Sequence, residues 1–196
     1  DLYAEHVIRG DITTADGTVL AKTTVSDDGS ETREYPYGRM FAHVVGYTNN
    51  GKGGLESQYN FNLLRSHSFF LTQIINDLKN KKNIGDTLVT TLDYDVHETA
   101  YKALGDRDGA VVVMEVKTGK ILALVSKPDF DPNTLAERWD DIVSDENSSV
   151  LLNRVTSGLY PPGSTFKILS TLEYVHENSN YQDYSFDCEG ELNVDG

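Results

Sequence analysis

Ser164 and Lys167, three positions apart, are the residues whose types and spacing could do chemistry. On a helix they face one side of a single turn, within reach of each other. A serine hydroxyl attacks a carbonyl only when a base takes its proton, and a lysine can serve if its ammonium is destabilised by burial and by the positive end of the helix dipole. The start of the helix also offers backbone N–H groups, that of Ser164 included, to a developing oxyanion. The pair therefore suggests acyl transfer, with Ser164 as nucleophile and Lys167 as general base. A plainer reading stands beside it, because a serine after Pro161-Pro162-Gly163 is also an ordinary helix cap. With 14 serines and 10 lysines among 196 residues, about 0.7 such pairs arise by chance. Lys167 tilts the balance: the third position after a cap prefers Glu or Gln, and a lysine there opposes the dipole.

Composition narrows the classes of partner. The chain has 31 acids against 17 bases and a net charge of -14, so attraction to nucleic acid or to an anionic membrane surface is disfavoured. Cys188 is its single cysteine, which leaves no internal disulfide and no thiolate metal site. No run approaches the roughly 18 apolar residues that span a bilayer, and no signal segment is present. A first residue of Asp1 rather than Met is compatible with an excised anchor.

The elements that must position the pair follow from periodicity. Residues 1 to about 60 read as a small β-rich module, with β-type runs at Thr18-Val19-Leu20-Ala21 and Phe41-Ala42-His43-Val44-Val45 and turns at Asp16-Gly17 and Asp28-Gly29. From Leu55 to Leu78 the apolar spacing, through Phe69, Leu71, Ile74, Ile75 and Leu78, predicts one or two helices. The polar run Lys79-Asn80-Lys81-Lys82-Asn83 marks a boundary, dividing the chain into residues 1–83 and 84–196. Beyond it come a strand at residues 87–92 and a helix with Val96, Ala100 and Leu104 on one face, its start favoured by Asp93 and Asp95. A hairpin of residues 110–114 and 121–125 follows, joined through Lys117-Thr118-Gly119. Pro128, Pro132 and Asn133 form a loop, with a helix around Leu135 to Val143. Residues 164–176 form the helix that carries the pair. The order predicts an α+β fold.

The wider sequence resembles one family. Asn153-Arg154 with Tyr160-Pro161-Pro162-Gly163-Ser164-Thr165-Phe166-Lys167 is similar to the active-site segment of class B penicillin-binding proteins, the serine D,D-transpeptidases that cross-link peptidoglycan. Arg9-Gly10-Asp11-Ile12 with Asp16-Gly17 and Leu20-Ala21 resembles the family segment just outside the membrane anchor. His43-Val44-Val45-Gly46-Tyr47 and Gly53-Gly54-Leu55-Glu56 resemble the motifs that close its N-terminal domain. Gly109 to Glu115 and Thr118 to Ala123 resemble the first hairpin of its transpeptidase domain, and Phe130-Asp131-Pro132-Asn133 fits too. The blocks occur in family order, with the short spacing of the compact branch that lacks a large pedestal.

The resemblance implies a non-catalytic, dimerisation or pedestal-type module over residues 1–83. Residues 84–196 would be the first part, about a third, of a transpeptidase domain with the serine β-lactamase-like fold. Ser164 would be acylated by D-Ala-D-Ala stem peptides and by β-lactams, with Lys167 as base and with no metal or cofactor. It also implies an N-terminal membrane helix absent here, a body on the extracytoplasmic face, wall-synthesis partner proteins, and the rest of the same protein as a partner.

In the family a Ser-x-Asn motif and a Lys-Thr-Gly motif follow the serine, and neither follows Lys167. Lys117-Thr118-Gly119 precedes the serine and reads as a turn, so further substrate-binding residues are not identified. The sheet should lack its later strands, leaving the hairpin edge and one face of the Ser164 helix exposed, and this chain alone should be inactive. Two alternatives stay open. One is a β-lactamase or β-lactam sensor, against which the N-terminal module argues; the other is a non-catalytic scaffold of wall synthesis.

Overall fold

The computed structural model describes residues 6–67, 76, 81–188 and 190. The chain divides into two compact units, residues 1–158 and 159–196.

In the first unit, β1 (Val7–Ile8) pairs in parallel with β5 (Asn83–Ile84). A four-stranded sheet runs in the order β4-β3-β2-β6. Its strands are β2 (Ile12–Thr13), β3 (Val19–Val25), β4 (Glu31–Glu34) and β6 (Leu88–Val89). Asp28-Gly29 closes the β3–β4 hairpin: the Asp28 carboxylate accepts from the Ser30 N–H at 2.9 Å, an Asx turn of the kind that favours Asp before Gly. Ile12, Leu20, Ala21, Tyr35, Phe41, Val45, Leu63 and Leu92 form the main core, and each large side chain among them gains about 1.5–3 kcal/mol by leaving water.

The run Phe41 to Val45 departs from its β-type composition. It folds as a 3₁₀ turn, Gly38–Phe41, continuing into helix α1 (Ala42–Val45). Phe41 and Val45, four residues apart, reach the same core, while Ala42 packs into a second cluster with Phe130, Leu135 and Ile142. Helical spacing achieves this and strand alternation does not, so packing overrides β-propensity. Gly46 ends the helix at φ 92°, where a Cβ would lie 1.8 Å from the Gly53 carbonyl oxygen; only glycine fits such a turn.

Helices α2 (Gly54–Gln58) and α3 (Asn60–Leu63) take up the first part of the periodic stretch. Phe69, Leu71, Ile74, Ile75, Leu78 and the Lys79-Asn80 part of the polar run lie outside the described residues, as does Asp1. Helix α4 (Tyr94–Leu104) begins where expected, with the Asp93 carboxylate accepting from the Val96 N–H at 2.9 Å. Its Val96, Ala100, Tyr101 and Leu104 pack on Val111, Val113, Ala123 and Val125. These belong to the antiparallel pair β7 (Gly109–Met114) and β8 (Ile121–Lys127), in the register Val111↔Val125. Val112 and Met114, on the other face of β7, are exposed. The 3₁₀ turn Leu135–Arg138 and helix α5 (Trp139–Ser144) follow, then α6 (Arg154–Ser157).

Several polar links stitch residues 35–43 to α4 and to the stretch 124–133. The Asn133 amide accepts from the Tyr35 N–H at 2.9 Å and donates to the Tyr35 carbonyl at 3.0 Å, imitating a strand partner. His97 Nε2 meets the Met40 carbonyl at 2.9 Å, and the His97 ring stacks on Phe41 at 3.9 Å. His43 Nε2 meets the Pro128 carbonyl at 2.9 Å. The Asp129 carboxylate accepts from Tyr101 at 2.6 Å and from Arg39 at 3.1 Å.

The second unit holds a 3₁₀ turn, Gly163–Thr165, helix α7 (Phe166–Glu177) and a 3₁₀ turn, Tyr181–Asp183. Tyr174 and Tyr184 meet edge to face, their ring centres 5.3 Å apart.

Candidate active site

Gly163 at φ 53° provides the sharp entry to the Ser164 turn, a conformation that side chains with a Cβ resist. Thr165 then closes the turn on Pro162, with its N–H donating to the Pro162 carbonyl at 3.2 Å and its hydroxyl at 2.6 Å. The Phe166 N–H returns to the carbonyls of Gly163 and Ser164. Within α7 the Ser170 and Thr171 hydroxyls bond back to the carbonyls of Phe166 and Lys167, at 3.1 and 2.7 Å, satisfying their own polarity without a partner element.

Ser164 is not the cap of this helix. The cap positions of the 3₁₀ turn and of α7 fall on Pro162 and Thr165, and neither makes a side-chain capping bond. The bland explanation for the serine is therefore removed. Its hydroxyl is exposed, with no hydrogen-bond partner among the described residues. Lys167, in the first turn of α7, is exposed as well. Phe166, Ile168, Leu169 and Leu172 stand exposed on the same helix, an apolar stripe of core composition.

Lys117-Thr118-Gly119 lies in the β7–β8 turn, where Gly119 N–H donates to the Glu115 carbonyl at 2.8 Å and the Thr118 hydroxyl bonds the Glu115 carboxylate. Asn153 and Arg154 sit at the start of α6. The Asn153 side-chain Oδ1 accepts from Val155 N–H at 3.0 Å, while its Nδ2 donates to the His43 carbonyl at 3.1 Å. The Arg154 N–H reaches the buried Ser126 hydroxyl at 2.9 Å. Cys188 is exposed and free.

The most buried polar cluster was only half legible in sequence. Glu56 accepts from Arg9 Nε at 2.5 Å and from Arg33 Nε at 2.7 Å. Tyr35 joins at 3.4 Å, and burial, with the Glu56 charge, pushes its phenol up to about 12. Arg9 and Glu56 fall in motif blocks, but nothing local marks Arg33, which lies 23 residues from its partner. Burial likewise holds His43 and His97 below the usual imidazole value, and burial, then the Asp129 hydrogen bond, raises Tyr101.

A cavity of about 490 Å³ in the first unit is lined by His43, Tyr47, Phe130, Leu151, Asn153 and Thr156 among others. Among the described residues no group of three or more His, Cys, Asp or Glu could hold a metal ion, and no helix is long and apolar enough to cross a membrane.

Two family models match the sequence: the penicillin binding protein A dimerisation domain over residues 9–88, and the penicillin binding protein transpeptidase domain over residues 109–194. The peptidoglycan D,D-transpeptidase PbpA of Mycolicibacterium smegmatis is 37% identical over 181 residues, covering 83% of this chain and 36% of that protein. The MrdA transpeptidase of Acinetobacter baumannii is 32% identical, covering 74% of this chain and 26% of its own length. The chain thus spans roughly a third or less of these curated relatives. Among solved structures, the imipenem acyl-enzyme of penicillin-binding protein A from M. tuberculosis superposes with a TM-score of 0.76 at 31% identity, over 90% of this chain and 44% of that one. A D,D-transpeptidase domain from Eggerthella lenta gives 0.70 at 36% identity, over 83% and 35%.

Proposed function

This chain belongs to the class B penicillin-binding proteins, and from that membership we propose that it is the part of a peptidoglycan D,D-transpeptidase that carries the nucleophile, Ser164. The observation that carries the reading is the exposed, uncapped Ser164 hydroxyl one turn before Lys167, inside the segment matched by the transpeptidase model. The M. tuberculosis relative was solved as acyl-enzymes with imipenem and penicillin G, which supports β-lactams as ligands of the whole protein.

In this mechanism Lys167 takes the Ser164 proton and the alkoxide attacks the penultimate D-Ala carbonyl of a stem peptide. The Ser164 N–H helps hold the oxyanion, and the terminal D-Ala leaves with the proton. An amine of a neighbouring stem peptide then attacks the ester and releases Ser164, forming the cross-link. A β-lactam is opened by the same attack and remains on Ser164. Neither metal nor cofactor enters this scheme. We assign residues 1–83 to a non-catalytic module and 84–196 to the beginning of the catalytic domain. We place the whole protein on the extracytoplasmic face of a bacterial membrane, anchored by an N-terminal helix and associated with other wall-synthesis proteins.

The test is acylation of the full-length parent protein by a fluorescent penicillin. Labelling is expected at Ser164 and is expected to vanish in Ser164→Ala, while the 196-residue chain labels poorly or not at all. Equal labelling of Ser164→Ala and wild type would overturn the nucleophile assignment. Absence of labelling in a folded parent would favour the scaffold role.

A further inference from the structure

Asn50-Gly51 is the one Asn-Gly pair of the chain, and it lies in the turn between α1 and α2. Asn50 holds φ 55°, a value that Asn tolerates better than most residues, and Gly51 follows at φ 111°. Both are exposed. Among the described residues neither the Asn50 carboxamide nor the Gly51 N–H has a hydrogen-bond partner, and a Cβ placed on Gly51 would meet nothing within 4 Å. The turn closes at its base, where the Gly53 N–H donates to the Tyr47 carbonyl at 3.1 Å. Other asparagines lack this freedom. The N–H that follows Asn147 donates to the Asp145 carbonyl at 2.9 Å, and the one that follows Asn133 donates to the Asp131 carbonyl at 3.2 Å. After Asn153, the Arg154 N–H is held by the Ser126 hydroxyl at 2.9 Å. In each of these pairs the second residue also carries a side chain that crowds its nitrogen, which glycine does not.

A backbone nitrogen that is unbonded and uncrowded can attack the carboxamide carbon of the residue before it. We propose that Asn50-Gly51 is a site of spontaneous covalent modification, at which water converts Asn50 to isoaspartate and aspartate and the turn is loosened. The Gly51 nitrogen loses its proton to solvent and bonds to Asn50 Cγ. The Cγ–Nδ2 bond breaks, and Nδ2 takes a proton from solvent and leaves as ammonia. A water molecule then opens the cyclic imide at either carbonyl. Opening at Cγ gives aspartate; opening at the main-chain carbonyl reroutes the chain through the side chain and gives isoaspartate. Nothing is oxidised or reduced. The attack requires rotation of the main chain at Asn50, which costs Gly51 no hydrogen bond and meets no neighbour.

Isoaspartate adds a carbon to the main chain between Tyr47 and Gly53, and the base of the turn has no slack to absorb it. A Cβ on Gly46 would lie 1.8 Å from the Gly53 carbonyl oxygen, and one on Gly53 would lie 2.6 Å from the Tyr47 ring. These segments already touch, and packed segments transmit strain rather than dissipate it. Tyr47 and Gly53 also line the cavity of about 490 Å³, so its wall moves with the turn. The modified chain is less stable than the original.

The experiment ages the folded chain at mildly alkaline pH and physiological temperature, with samples digested by trypsin and mapped by mass spectrometry. The Met40–Lys52 peptide is expected to show the amide-to-acid mass gain before any other asparagine-containing peptide does. Electron-transfer fragmentation should place the change at Asn50, with isoaspartate exceeding aspartate. The urea midpoint of the aged wild type should fall. Asn50→Gly, which keeps the positive φ accessible and removes the carboxamide, should show neither the modification at this position nor the fall in midpoint. Conversion of Asn50 no faster than that of Asn133 or Asn147 overturns the site. An aged wild type whose midpoint falls no further than that of Asn50→Gly overturns the loosening of the turn.

Discussion

Lys167 is exposed on the first turn of α7, so in this chain Lys167→Ala should leave the urea midpoint unchanged. In the full-length parent the same substitution is expected to slow penicillin acylation by at least about 10²-fold, the scale of a lost general base. A rate within a factor of two of wild type would remove Lys167 from the mechanism. Glu56 is the opposite kind of residue: buried, ionic and structural. Glu56→Ala leaves two guanidiniums facing each other without an acid, and a broken buried ion cluster costs about 3–5 kcal/mol. Urea denaturation of this chain should show that loss, and a midpoint unchanged from wild type would mean that the cluster is solvated in solution. The spacing of Ser164 and Lys167 is read directly from three consecutive steps of chain. The meeting of Tyr35 with Asn133 is not, since the two lie 98 residues apart and no local spacing encodes it.

Among the elements, those whose cause is local were foreseen. Helix α4 starts at an Asp whose carboxylate takes the Val96 N–H, and Asp93→Ala is expected to destabilise the first unit by about 1 kcal/mol, measured as a shift in urea midpoint; no shift would mean that the Asp93 bond is replaced by water at no cost. The β7–β8 hairpin was legible from two apolar runs and a glycine turn. The α1 segment was not. Its Phe41, Ala42, Val44 and Val45 composition favours a strand, yet the core asks for Phe41 and Val45 on one side and Ala42 on another. Helix α7 (Phe166–Glu177) falls on the stretch, residues 164–176, expected to be helical.

On the scale of the molecule, two buried histidines tie the first segments to the later ones. Burial holds the pKa of both His43 and His97 below the ordinary imidazole value of about 6.5, so near pH 6 the unfolded chain takes up protons that the folded chain refuses. Stability is then complete above about pH 6.5 and falls as the pH drops through that value toward the lower folded pKa. Acidification from pH 7.5 to 5.5 should lower the urea midpoint, and His97→Gln should flatten that dependence while lowering stability at neutral pH. A wild-type midpoint that does not change over that interval would contradict the burial argument.

The serine, its lysine, the turn before them and the ordered motif blocks are all present in the linear chain, because a Ser-x-x-Lys spacing and the residues that shape one turn are local properties. The family and the α+β class followed from them. The shared carboxylate of Glu56, the pairing of Asn133 with Tyr35 and the helical form of α1 came only with the folded molecule. Each depends on which distant segments arrive together, and that is not a property of a local window.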